Sequence, residues 1–186
     1  MKEDKKVWSL LVWGFVWLCA SNLIVGCFPQ VHSTVEHQLI SLTSDDLEIH
    51  GLAFITPSTV RGQEEEMQPV AFTFADVFKR QRPDIKCVTL PETLSAVNRA
   101  GLAEDYKRMY EDYRNTGLFK RDILKQVGEV TGTRYLAQLK LAGFKQNSDT
   151  RLSFFGLRIF ETKNATIRLF FQIWDSTDGS IVWEGV

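Results

Sequence analysis

The alternation of apolar and polar positions divides the chain into an apolar leader, a polar stretch and a patterned body. Val7–Ala20 is apolar apart from Ser9, whereas Phe28–Asp46 is polar and shows no sustained period. Apolar residues then recur at even spacing within Leu47–Ile55, which predicts a first strand. The body therefore begins near Leu47, and residues 27–46 are expected to form a flexible tether.

Spacings of three and four residues predict helices in the first half of the body. Pro83 is expected to end the first helix, and glycines are expected to end the other three. Ile85–Leu90 lies between the first two helices and is predicted as a second strand. The apolar positions that indicate the four helices are Phe74, Val77 and Phe78; Leu94 and Val97; Leu102, Tyr106, Met109, Tyr110 and Tyr113; and Ile123, Val127 and Val130.

The period changes to two from Tyr135, and Gly143 is expected to end the strand that begins there. A second alternating run leads into the turn Asp175–Gly179 and then into Ile181–Trp183, which predicts a hairpin. Early helices followed by late antiparallel strands predict an α/β (α+β) domain over residues 47–186. We expect a mixed sheet with three-layer helical cover. The alternating residues are Tyr135, Ala137, Leu139 and Leu141, then Ile167, Leu169, Phe171 and Ile173.

Two groups of aromatic residues allow either core packing or binding. Tyr106, Tyr110 and Tyr113 are expected to pack in the core with their hydroxyl groups at its rim. Phe170 and Trp174 lie on the opposite strand face from Phe171. A sheet that is apolar on both faces is either covered by helices on both sides or docks a partner.

The leader has the architecture of a secretory signal peptide over residues 1–26, with lysines at its start and Gly26 before Cys27. Ile24–Cys27 resembles the bacterial lipobox, which implies a diacylglycerol on Cys27 and attachment to a lipid bilayer. The alternative is an uncleaved transmembrane anchor, because Val7–Gly26 is long enough to span a bilayer. In both cases the body faces the periplasm, and Phe28 after the cysteine implies the outer membrane by the sorting rule of such lipoproteins.

Charge and composition exclude several classes of function. Removal of residues 1–26 leaves 19 basic and 21 acidic residues, so nucleic acid is not an expected partner. Cys87 is expected to be an inert buried thiol, and His32 and His37 lack a third metal ligand nearby. Asp175 and Asp178 resemble half a calcium loop, but a turn is expected because the later ligands are missing. Nucleophile, metal-helix and phosphate-loop motifs are also missing, so we expect neither an enzyme nor a bound cofactor or metal.

Several segments together resemble an envelope domain. Gly128–Leu136, Ala165–Leu169, Gln172–Asp175 and Val182–Gly185 look like the domain shared by the TolB amino-terminal region, the LpoB activator of peptidoglycan synthases and the CsgG curli secretion subunit. The resemblance covers about residues 47–186 and implies a non-enzymatic adaptor or assembly subunit. Family domains continue into a covering helix, so the stop at Val186 implies a domain without that helix.

The segment Lys145–Asn164 is expected to be an aromatic loop, and its part Arg151–Phe160 is expected to contact an envelope protein partner. The alternative is that the protein's own helices cover it. Aromatic residues and arginine are enriched at binding hot spots. The expected function is a lipid-anchored, non-enzymatic interaction or assembly module. The alternative is a subunit of an oligomeric outer-membrane secretion channel, because Leu152–Phe160 and Ala165–Trp174 have the length of a membrane-crossing strand. The candidate contact residues are Arg151, Phe154, Phe155, Arg158 and Phe160.

Overall fold

Residues 35–186 fold around one mixed β-sheet in this computed structural model. The chain divides into two units, Met1–Thr34 and Val35–Val186, and residues 31–34 of the first lie outside helices and strands. The structure describes residues 31–43, 45–59, 64–154 and 157–186, with side chains for all of these except 59, 64–67, 144, 146, 148–154 and 157–163.

Within these ranges, helices and strands alternate in the first part of the chain, and three strands end it. The elements are, in chain order, β1 (His37–Leu39), α1 (Asp46–His50), β2 (Leu52–Phe54), β3 (Ser58–Thr59), α2 (Glu64–Gln81), β4 (Cys87–Val88), α3 (Leu90–Arg99), α4 (Ala103–Thr116), α5 (Arg121–Thr131), β5 (Tyr135–Phe154), β6 (Leu157–Asp175) and β7 (Ile181–Gly185).

The sheet combines parallel and antiparallel pairs, as the sequence predicts. Its strand order is β1-β7-β6-β5-β2-β4, and β3 pairs with β5 outside this path. β2 runs parallel to β4 and to β5. β5, β6, β7 and β1 are antiparallel neighbours, and a turn after Asp175 connects β6 to β7.

Helices cover both faces of the sheet. On the first face α2 places Ala71 and Ala75 in a cluster with residues of β2, β5 and β6. On the second face α4 and α5 pack against Leu136 and Trp174, and Trp174 is fully buried there. The expectation of helical cover over both apolar faces is therefore confirmed, and Trp174 is a core residue.

The tyrosines of α4 belong to the core of the second face, as expected. Tyr106 and Tyr113 are buried, and Tyr110 is half-buried between Tyr106 and Phe119. The Tyr110 hydroxyl donates to Thr56 O at 2.8 Å. Burial raises the pKa of Tyr106 and Tyr110 above the ordinary tyrosine value. These hydroxyl groups fasten α4 to the segment that follows β2.

Local signals explain where the predicted helices start and stop. α3 begins with a capping box in which Glu92 accepts hydrogen bonds from the backbone and hydroxyl of Thr89, both at 2.7 Å. α4 and α5 end at Gly117 and Gly132, which adopt left-handed conformations with φ of 74° and 63°. The predictions for these helices are confirmed.

The prediction of a single first strand over Leu47–Ile55 is wrong in its first half. Residues Asp46–His50 form α1, and the strand covers only Leu52–Phe54. Gly51 separates the two elements with φ of 71°, and its N–H donates to Leu47 O. An Asp46 carboxylate oxygen also accepts the Thr43 N–H at 2.8 Å, which favours a turn at this point.

The prediction of a tether through residue 46 is also too long. Residues His37–Leu39 form β1, which pairs with β7 at the edge of the sheet. All three side chains of β1 are exposed, so the strand leaves no apolar alternation in the sequence. Its backbone hydrogen bonds alone define it, and a hydrophobic pattern does not reveal such a strand.

Candidate functional site

The strands β5 and β6 pair with each other far beyond the rest of the sheet. Their register runs from Tyr135–Asp175 to Phe154–Leu157. β2 and β3 pair with β5 only as far as Leu141, and β7 pairs with β6 only from Phe171. Beyond these points each strand has one neighbour among the described strands. We call residues 142–154 and 157–168 the arm, which at 3.3 Å per residue extends for about 40 Å.

The described side chains near the base of the arm are exposed to solvent. Lys145, Asn147 and the run Asn164–Arg168 are all exposed, and Ile167 has 58% of its surface accessible. The register shifts at Leu141–Gly143, so Gly143 marks a bulge. The expectation that Gly143 ends the strand is therefore wrong, because a bulge lets pairing continue past an irregular position.

The expected aromatic loop Lys145–Asn164 is likewise a pair of strands. The sequence of this segment carries no sustained hydrophobic period, and such a pattern favours a loop over a strand. Two further register shifts lie between Thr150 and Ser153. Such bulges increase the local twist and bend of a ribbon, so the outer end of the arm is irregular.

The predicted contact residues fall at this outer end. Arg151 and Phe154 lie on β5, and Arg158 and Phe160 lie on β6. The register pairs Leu152 with Phe160, Ser153 with Arg158 and Phe154 with Leu157. Phe155 lies outside the described residues. The backbone therefore brings the predicted residues to one end of one ribbon, which sequence spacing did not reveal.

A row of aromatic rings crosses the first face where the arm leaves the domain. Phe74 of α2 stacks on Phe171 with ring centroids 4.7 Å apart. Phe171 meets the edge of Trp183 at 5.7 Å, and Trp183 stacks on His37 at 6.3 Å. Phe54 continues the row into the core at 6.1 Å from Phe171. This row links the base of the arm to the edge strand β1.

A row of polar side chains crosses the second face at the same level. Gln138, Gln172, Glu184 and Gln38 lie on four adjacent strands in direct register. Gln138 is fully buried, and its amide nitrogen and oxygen have no hydrogen-bond partner among the residues that the structure describes. The hydroxyl of Tyr113 donates to Gln172 Oε1 at 3.4 Å. The sequence analysis missed this row, because only the register aligns its members.

An ion pair fixes the inner end of β5 to the turn between β6 and β7. Arg134 donates from Nε and Nη2 to Asp175 Oδ2 at 2.9 and 2.6 Å. Asp175 Oδ1 accepts from the backbone and hydroxyl of Thr177. Burial acts to raise the pKa of Asp175, but these hydrogen bonds outweigh it and hold the pKa below the ordinary value. The turn predicted at Asp175 is confirmed, and its carboxylate serves the turn.

The other candidate groups show little chemistry. Burial raises the pKa of the Cys87 thiol to about 11, which suits an inert thiol. Across the described ranges, no three His, Cys, Asp or Glu side chains come together as a metal site. A shallow cavity beside the end of α5 has His50, Lys125, Thr133 and Arg134 in its lining, and Arg134 is already paired with Asp175.

The predicted membrane anchor falls on residues that the structure does not describe. Cys27 and the predicted signal peptide, residues 1–26, are outside the described residues, so lipid attachment stays a prediction. In the described part of the chain, every helix is too short or too polar to cross a bilayer.

Comparisons with known proteins give a weak likeness. No protein-family model and no curated protein matches the chain. A PelC dodecamer from Paraburkholderia phytofirmans is 12% identical over 82% of this chain and 77% of that chain, with a TM-score of 0.43. The lipoprotein GNA1162 from Neisseria meningitidis is 11% identical over 74% of this chain and 80% of that chain, with a TM-score of 0.39. At these values the likeness carries no argument about function.

Proposed function

We propose that this chain is a lipid-anchored envelope protein that acts as a non-enzymatic interaction module. The arm is the surface that binds its protein partner. The observation that carries this proposal is the long pairing of β5 with β6 beyond every other element of the sheet. The arm offers a contact surface at a distance from the domain body.

The low stability of an isolated two-stranded ribbon supports the proposal that a partner binds the arm. Two strands alone are marginally stable in water, and among the described strands each strand of the arm has one edge without a neighbour. The sequence adds aromatic residues and two arginines at the outer end, the residue types that dominate binding hot spots. A protein partner that covers this end would bury the apolar area and pair the exposed edges.

The anchor and the cellular place rest on the amino-terminal residues. The lysine-led apolar run and Ile24–Cys27 support cleavage before Cys27 and lipid attachment at its thiol. The domain would then lie on the periplasmic face of the envelope, at the outer membrane. No nucleic acid is part of this proposal, since the residues after the leader carry a small negative charge.

The non-enzymatic part of the proposal rests on the groups that the fold brings together. The Asp175 carboxylate already accepts hydrogen bonds from Arg134 and from Thr177 in the turn. Burial raises the pKa of the Cys87 thiol to about 11, so the thiol stays protonated near neutral pH. We expect purified protein to contain no stoichiometric transition metal by elemental analysis. A bound metal, or an activity that disappears when one titratable residue is changed, would contradict this part of the proposal.

The channel alternative is supported by the strand lengths, since the arm is long enough to cross a bilayer. Its sequence argues against lipid contact. The register places Asn147 opposite Asn164, Ser148 opposite Lys163 and Thr150 opposite Glu161 in the middle of the arm. A lipid-facing surface needs an uninterrupted apolar band about 25 Å tall, which these positions do not supply. The arm is therefore proposed as a contact element in water.

The experiment that tests the proposal is recovery of the partner from crosslinked envelopes with an altered arm. Phe154→Ala combined with Phe155→Ala should abolish recovery and leave the unfolding midpoint nearly unchanged. The control pairs Phe72→Ala with Leu118→Ala, two exposed apolar residues away from the arm. These changes should leave recovery intact.

Two outcomes would overturn the proposed contact role. If the arm variant loses several kcal/mol of stability, the two phenylalanines belong to a core, since truncation of a buried Phe costs about 3–5 kcal/mol. If the arm variant is stable and still recovers the same partner, the partner binds elsewhere. A channel subunit would instead yield the same chain, in a ring of copies, as the recovered protein.

A further inference from the structure

Residues 36–42, which precede α1, are held to the domain mainly by backbone hydrogen bonds. We call residues 36–42 the strap. Glu36 and Val186 exchange two hydrogen bonds, with N–O distances of 2.9 and 2.7 Å. The N–H groups of Ile40, Ser41 and Leu42 all point to one carbonyl oxygen, Val182 O, at 3.1 to 3.3 Å. Because these three donors share one acceptor, the second half of the strap is held by weaker bonds than a regular ladder would supply.

The side chains of the strap add few contacts to the domain. Leu39 is 62% exposed and Ile40 is 52% exposed, so docking covers little of their apolar surface. The described contacts are the stack of His37 on Trp183 and the packing of Leu42 against the core of the first face. A segment with exposed side chains and few buried contacts belongs to the parts of a protein that open most easily.

The domain does not depend on the strap for its own packing. Trp183 also packs against Phe171 and lies across Gly185, and β7 stays paired with β6 over Phe171–Trp174. Release of the strap would expose one edge of β7 and withdraw Leu42 from the first-face cluster, while the buried residues of both clusters all come from other elements. Release of the strap is therefore a local event at the edge of the sheet.

We infer that the strap is a releasable latch that sets how far the domain can stand from its lipid anchor. This inference rests on the proposed lipid at Cys27. With the strap docked, about 8 residues join Cys27 to the domain and reach at most ~28 Å. With the strap released, about 18 residues separate Cys27 from α1 and reach at most ~60 Å. The arm then meets partners at two different distances from the membrane.

Hydrogen exchange of the full chain in detergent tests the latch directly. The amides of Glu36, Ile40, Ser41 and Leu42 should exchange at least ~10-fold faster than Asp175, whose N–H bonds to Ser180 O in the turn between β6 and β7. Strap exchange should also be insensitive to low urea, since little surface is exposed on local opening. Equal rates with equal urea dependence would show that the strap opens only with global unfolding and would overturn the inference.

A disulfide lock tests the effect on reach. Gln38 and Glu184 are direct partners across β1 and β7, and Cα atoms of such a pair lie about 5.5 Å apart, within disulfide range. Gln38→Cys with Glu184→Cys should form a bond that holds the strap down. Neutron reflectometry on a supported phospholipid bilayer should then show a thinner protein layer for the oxidised protein than for the reduced protein. Gln38→Cys alone should show no response to oxidant.

The two tests separate failure of the latch from failure of the anchor. Equal layer thickness for oxidised and reduced protein overturns the latch and leaves the lipid anchor standing. Absence of lipid on Cys27 by intact mass overturns the anchor, and the reach inferred from it, even where hydrogen exchange shows an opening strap.

Discussion

Gly128 of α5 packs against Ser176 in the turn between β6 and β7, with no room for a side chain between them. A Cβ built on Gly128 would lie 2.9 Å from both Ser176 Cβ and Thr133 O. α5 therefore approaches the start of β5 and the end of β6 as closely as a helix can. This contact fixes the inner end of the ribbon whose outer end forms the arm.

Gly128→Ala should destabilise the protein, against the usual trend for helices. Alanine in place of glycine inside a helix normally stabilises by about 0.5–1 kcal/mol. Here the added methyl group would meet the backbone of Thr133, which cannot shift without disturbing the start of β5. We therefore expect the free energy of unfolding, measured in urea, to fall by about 1–3 kcal/mol. Gly143→Ala is the control, since an added Cβ there meets nothing within 4 Å. A Gly128→Ala protein as stable as the original would show that α5 can shift outward.

The Arg134–Asp175 ion pair predicts that part of the protein's folding stability is lost at acid pH. A carboxylate whose pKa is lowered in the folded state stabilises the fold above its unfolded pKa, near 3.8. That contribution is lost as the pH falls below this value through the lowered pKa. Urea unfolding between about pH 5 and 2 should therefore show a shallower pH dependence for Asp175→Asn than for the original protein.

Arg134→Lys provides the matched control for this pair. It keeps the positive charge but loses the two-pronged donation to Asp175, so it should show an intermediate pH dependence. At neutral pH both variants should lose about 1.5–3 kcal/mol of unfolding free energy, the range for a hydrogen bond to a charged group. Identical pH profiles for all three proteins would mean that Asp175 titrates alike in the folded and unfolded chains.

The helices and the inner sheet were predictable because their sequences carry a period. α4 and α5 have apolar stripes and terminal glycines, and both lie where spacing placed them. The side chains of β1 are exposed, and so are the described side chains at the base of the arm, so neither strand carries a hydrophobic period in its sequence. An edge strand such as His37–Leu39 is defined by backbone pairing, and backbone pairing leaves no hydrophobic signature.

The candidate site divides along the same line. The sequence indicated Arg151, Phe154 and Phe160 by residue type, but it assigned them to a loop. Register alone brings them to one end of a ribbon, and register also aligns Gln138 with Gln172 across the second face. Such relationships depend on which strands become neighbours, which local pattern does not encode.

Lipid attachment predicts a defined mass at the mature amino terminus. Protein extracted from membranes should begin at Cys27 and carry a diacylglycerol, because Ile24–Cys27 follows a lysine-led apolar run. Intact mass spectrometry checks both features at once. Cys27→Ala should leave an unprocessed precursor. If that variant is still cleaved at the same residue and remains membrane-bound, the lipid on Cys27 is not what holds the protein; an original protein that keeps residues 1–26 without added mass would indicate the uncleaved transmembrane anchor.

The buried amide of Gln138 predicts a substitution that stabilises the protein. An ordinary core substitution lowers the free energy of unfolding, whereas this one should raise it. Gln138 is fully buried opposite Gln172 on the second face, and no described residue pairs with its amide atoms. A buried polar group without a partner costs about 1–3 kcal/mol of stability. Gln138→Leu has similar volume and removes this cost, so it should raise the free energy of unfolding by about 1 kcal/mol or more.

Two matched variants make this result interpretable. Leu136→Gln adds an amide on the same face of β5, two residues before Gln138. It should lower the free energy of unfolding by several kcal/mol, because Leu136 is fully buried in an apolar cluster. Tyr113→Phe should change stability by less than about 1 kcal/mol, since the 3.4 Å contact of its hydroxyl with Gln172 is a long, weak hydrogen bond. If Gln138→Leu destabilises the protein, then the amide has a partner in solution, and an internal water bridging Gln138 to the polar row becomes the explanation to test by high-resolution crystallography.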